Sequence, residues 1–74
     1  MINVRNAKLL KRFGKNLRDL RTHAGMSQEI LANEADIPIS QIGRIERGEV
    51  NATLSTLNRL ADALKVPLHE MMNF

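Results

Sequence analysis

The sequence predicts an all-α domain of five short helices. Apolar residues recur at spacings of three and four, and no stretch alternates as a strand would. Only Phe13 and Phe74 are aromatic, too few for a packed sheet face. Gly25, Gly48 and both prolines fall between the apolar segments, where helices stop and start. With 74 residues the chain has room for one small core, so residues 1–74 read as a single domain.

In the first segment Leu10, Phe13, Leu17, Leu20 and Ala24 form one stripe. Lys8, Lys11, Arg12, Lys15 and Arg18 fall largely outside it. Gly25 ends the helix as a left-handed C-terminal cap. Ser27 is a good N-cap for a second helix of about ten residues, with Glu29 in its first turn and Leu31, Ala32 and Ala35 on its inner face. Asp36-Ile37-Pro38 is the next break, because proline restricts the residue before it and suits a helix start but not a helix interior. A third helix therefore begins near Pro38, runs to Arg47 and stops at Gly48. Its inner face is Ile42 and Ile45. After a polar connection Thr53 caps a fourth helix bearing Leu54, Leu57, Leu60, Ala61 and Leu64. Val66-Pro67 breaks that one, and "PLHEMMNF" forms a last short helix.

Composition bounds the function without deciding it. There is no Cys, so neither a disulfide nor a thiolate metal site supplies stability. His23 and His69 lie on different segments without further ligands, so no metal is expected. Ser27, His23 and Asp19 are close in sequence but lie on a helix end and a cap, which makes no catalytic triad and no enzyme. No run approaches the ~20 apolar residues of a membrane span, and the first residues lack the apolar block of a signal peptide. A soluble, cytoplasmic protein is expected. Charge is polarised. Residues 1–25 carry seven Lys/Arg against Asp19 alone, and the remainder carries four against seven acids. Such a basic end suits either a polyanion or a solvated helix face.

Two short helices joined by a tight turn, the first starting "SQEILA" and the second ending "IERG", make a helix-turn-helix pattern over about residues 27–47. Together, "LRDLRTHAGMSQEILA", "IPISQIGRIERG" and "LSTLNRLADALKVPLHEM" resemble the phage-repressor/Cro-type helix-turn-helix family, also called the xenobiotic-response-element family of bacterial regulators. The resemblance covers residues 13–72. One departure is Asp36, where the family usually has Gly; Asp tolerates left-handed geometry better than most residues, so the turn is expected to be kept.

The resemblance implies a compact repressor-like domain whose third helix enters the major groove of double-stranded DNA. Base-reading positions of the family fall on Pro38, Ile39, Ser40 and Arg44, with Gln41 as a further candidate. Arg44 suits guanine, whose N7 and O6 accept its forked donors, and Ile39 suits a thymine methyl. Gly43 would let the helix approach the groove wall. Phosphate contacts fall on Gln28, Arg47 and Asn51, with Arg18 able to add charge from the first helix. Arg21 and Glu46 are implied to form a partly buried ion pair tying the first helix to the end of the third.

Leu68, Met71, Met72 and Phe74 crowd into the last seven positions, more apolar surface than one short helix buries against a small core. They are the expected contacts of a two-fold homodimer on a near-palindromic operator; the alternative is that Leu68 and Met71 cap the core while Met72 and Phe74 fray. No cofactor or small-molecule effector is implied. The runner-up function is a protein-interaction module, such as the DNA-binding antitoxin of a toxin-antitoxin pair. Only two residues follow Met72, which leaves no tail to wrap a toxin and favours the transcriptional regulator.

Overall fold

The computed structural model describes residues 6–74. These form α1 (Ala7–His23), α2 (Gln28–Ala35), α3 (Ile39–Glu46), α4 (Leu54–Leu64) and α5 (Leu68–Met71). Three starts are capped by side chains. Asn6 accepts from the Leu9 N–H at 3.0 Å, Ser27 from Ile30 at 3.0 Å and Thr53 from Thr56 at 3.2 Å. Each satisfies one of the amides that a helix start leaves unpaired. The prolines work differently. Pro38 and Pro67 hold the extended conformation just before α3 and α5 and provide no side-chain acceptor.

The stops of α1 to α4 use left-handed geometry. Gly25 and Gly48 have φ of 72° and 74°. Asp36 takes the same region at φ 57°, so the turn between α2 and α3 is kept without glycine. Lys65 does likewise after α4, where no glycine or asparagine marks the turn.

Leu17, Leu31, Ile42, Ile45, Leu60 and Met71 are fully buried, and between them they come from all five helices. Each such side chain contributes about 1.5–3 kcal/mol of burial. The inner faces of α2 and α3 are as expected. On α4 the stripe differs: Leu60, Ala61, Ala63 and Leu64 are buried, Leu57 is half-buried and Leu54 is 71% exposed. Leu54 is the first residue of its helix and projects beyond the packed turns. Ala24 is the cap residue of α1 and is also exposed.

Two contacts set the frame. At Gly14 a Cβ would stand 2.5 Å from the Glu46 carbonyl oxygen and would also strike that of Ile45, so α1 meets the end of α3 backbone to backbone. At the other end, Asn16 Nδ2 donates to the carbonyls of Glu70 at 3.2 Å and Met71 at 2.8 Å. A four-residue helix is thereby capped from α1.

Candidate nucleic-acid interface

The chain between α2 and α3 turns sharply because Asp36 is left-handed and Pro38 follows. Arg59 of α4 donates to the Asp36 carbonyl at 3.2 Å and holds that turn to the core. With Ile42 and Ile45 locked inward, α3 can present only one face outward. That face holds Ile39, half exposed, and the exposed Ser40 and Arg44, with Pro38 at its start and Gln41 half-buried at its edge. No acid lies on it. Among the described residues the Arg44 side chain has no hydrogen bond or ion pair, so its forked donors are available.

Beside this face lies a shallow cleft lined by Arg18, Arg21, Gln28, Glu46 and Arg47. Arg21 and Glu46 form its floor. Arg21 Nε donates to Glu46 Oε2 at 2.6 Å and Nη2 to Oε1 at 3.1 Å, while Nη1 donates to the Met26 carbonyl at 2.8 Å. Their side chains are 11% and 5% exposed. A charge pair this sheltered persists because its donors and acceptors are all engaged. Gln28 joins it: Nε2 donates to Glu46 Oε1 at 3.0 Å. The side-chain amide expected at a phosphate therefore has a structural bond, and what Gln28 keeps toward the cleft is its place at the N-terminus of α2.

Arg47 follows α3 directly and is exposed. Its Nε donates to Glu49 Oε2 at 2.6 Å, and Nη2 lies 3.4 Å from Oε1. These hydrogen bonds and the carboxylate charge raise its pKa further, so it is always cationic. Its guanidinium also lies over Gly43, where a Cβ would come 2.9 Å from Nη1. Gly43 thus makes room for Arg47, a role distinct from the close groove approach expected of it.

The cleft brings Arg18, Gln28 and Arg47 together. Asn51 lies elsewhere, beside an apolar cleft formed with Leu9, Leu10, Phe13, Val50, Ala52, Leu57 and Met72. Here one expectation needs correction. Met71 is fully buried and cannot be a dimer contact, because the short α5 turns it into the core. Leu68 is half-buried against the same core. Phe74 packs edge-on against Phe13, centroids 6.2 Å apart, with the Arg12 guanidinium 5.2 Å above its ring. Met72 remains half exposed, and so does Leu9.

Four residues of this region were not singled out by sequence reasoning: Gly14, Asn16, Glu49 and Arg59. Only Glu49 had a usable signal, as an acid two residues beyond an arginine at a helix end.

A family model described as helix-turn-helix (HTH_3) matches residues 17–71. Control protein C.BamHI of Bacillus amyloliquefaciens is 37% identical over 70 residues, 93% of this chain and 84% of that protein. Control protein C.SmaI of Serratia marcescens is 40% identical over 58 residues, 78% of this chain and 69% of its own length. The crystal structure of the restriction-modification controller protein C.AhdI from Aeromonas hydrophila superposes with a TM-score of 0.83 at 42% identity, covering 89% of this chain and 98% of that one. The present chain therefore belongs to the helix-turn-helix (HTH_3) family and is a sequence-specific DNA-binding regulator.

Proposed function

We propose that the protein binds a near-palindromic operator as a homodimer, one α3 in each of two successive major grooves, and controls transcription of restriction-modification genes. The gene class rests on similarity to the controller proteins. The reading mode rests on one observation: the outward face of α3 offers an unpaired Arg44 beside Ile39 and Ser40, and no acid. Arg44 would take guanine N7 and O6, and Ile39 a thymine methyl. Arg18, Arg47 and the α2 N-terminus would hold flanking phosphates, and Asn51 a phosphate further along the backbone. Work on DNA implies a cytoplasmic location.

Dimerisation follows from reach. An eight-residue helix is ~12 Å long and spans about four base pairs, too few for an address in a genome. Two copies with their α3 helices ~34 Å apart double that. Leu9 and Met72, exposed at the apolar cleft, together with the exposed Phe74 and the half-buried Leu68, are the surface we assign to the partner. Sedimentation of Met72→Asp tests this. The variant should sediment as a monomer at concentrations where the wild type is dimeric, and lose cooperative occupation of both half-sites. Unchanged mass with unchanged cooperativity would remove this surface from the account.

A further inference from the structure

Arg47 meets an anion within its own chain before it meets any ligand. The Glu49 carboxylate engages Nε at 2.6 Å and faces Nη2 at 3.4 Å, the two-pronged arrangement a guanidinium also makes with a phosphodiester. Both side chains are exposed, 60% and 50%, so the pair lies on the surface that borders α3. Behind it the guanidinium rests against Gly43, which has no side chain to push it away. The fork is thus held between a bare stretch of helix and a carboxylate, at the rim of the cleft shared with Arg18 and Gln28.

We infer that Glu49 acts as an internal phosphate surrogate: it holds Arg47 in the free protein, and a DNA phosphodiester must displace it, which sets the strength of sequence-independent binding. This rests on the proposed phosphate role of Arg47. Displacement is an exchange of one oxyanion for another at the same donors. A duplex of any sequence supplies the incoming one. Glu49 accordingly lowers affinity for specific and non-specific DNA alike, and its effect fades as salt screens exposed charges.

The test is a double-mutant cycle. Wild type, Glu49→Gln, Arg47→Ala and the double variant are titrated by fluorescence anisotropy against an unrelated duplex at several KCl concentrations, with melting followed by circular dichroism as the folding control. Glu49→Gln should tighten binding several-fold at low salt, with the gain shrinking as KCl rises. Arg47→Ala should weaken binding, and in that background Glu49→Gln should bring no gain. A gain that persists without Arg47 is simple charge repulsion and overturns the proposal. So does a Glu49→Gln chain that binds as wild type while Arg47→Ala binds more weakly. If Arg47→Ala itself binds as wild type, the phosphate role of Arg47 fails, and the Glu49 proposal falls with it.

Discussion

Replacing Glu46 by Ala should be the most costly single change near the DNA-binding face, although Glu46 itself touches no DNA in this account. Its carboxylate accepts two hydrogen bonds from Arg21 and one from Gln28, and is almost wholly sheltered. Removing it leaves a guanidinium 11% exposed with two donors unpaired, at a cost of ~3–5 kcal/mol. A chain of 74 residues has roughly 4–11 kcal/mol of stability in total, taking ~0.05–0.15 kcal/mol per residue. The variant would thus lose about a quarter of it or more. With a urea slope of ~1 kcal/mol per molar, the denaturation midpoint read by circular dichroism should fall by about 3–5 M or the protein should not fold. The exposed pair of Lys15 and Asp19, at 3.5 Å with side chains 80% and 60% exposed, supplies the contrast. Asp19→Ala should move the midpoint by under about 0.5 M. The double replacement Arg21→Met, Glu46→Leu removes both charges together and should cost far less than Glu46→Ala alone. If Glu46→Ala shifts the midpoint no more than Asp19→Ala does, the ion pair does not tie α1 to α3 as argued.

Gly14→Ala should destabilise by ~1–3 kcal/mol in the same assay, because the added methyl meets backbone that cannot move aside. Gly43→Ala, where the added methyl meets only the mobile end of Arg47, should leave the midpoint nearly unchanged. Met71→Ala should cost ~2–5 kcal/mol in urea denaturation, as expected of a core side chain and not of a surface contact. Arg44→Ala should leave stability intact while weakening operator binding by ~1–3 kcal/mol in anisotropy titrations, with little change on unrelated DNA.

Much of the fold was legible because its signals are local. Ser27 and Thr53 cap amides three residues on, so the residue type and the start of the apolar stripe are enough to place them. The break at Asp36-Ile37-Pro38 could be placed from the proline, whereas the left-handed turn at Asp36 was expected from the resemblance, in which glycine usually stands there. Ile42 and Ile45 could be turned inward by spacing. Other features join residues far apart in the chain. Gly14 is a neutral residue within a helical stripe until α3 is laid against it, and Asn16 looks like a solvated polar residue until α5 arrives at its amide. Met71 was misassigned because apolar content at the chain end says how much surface exists, not which way a four-residue helix turns it. Leu54 matched the period of α4 but lies past the edge of the core. At the interface, α3 and its outward residues were readable, since burying the two isoleucines determines the opposite face. The pairing of Arg47 with Glu49 was missed although its local signal was there: side chains two apart do not meet on a helix, but α3 ends at Glu46, which lets the acid two residues beyond Arg47 reach it.

Base reading by α3 can be checked by selecting bound sequences from a random duplex pool in parallel with wild type and Arg44→Ala. The wild type should enrich two inverted half-sites about ten base pairs apart, centre to centre, each with a guanine at one fixed position. The Arg44→Ala chain should enrich the same spacing with that guanine preference lost. Enrichment of a single unrepeated motif, or the same guanine selected by both chains, would contradict the claim that α3 reads DNA through Arg44 in paired major grooves.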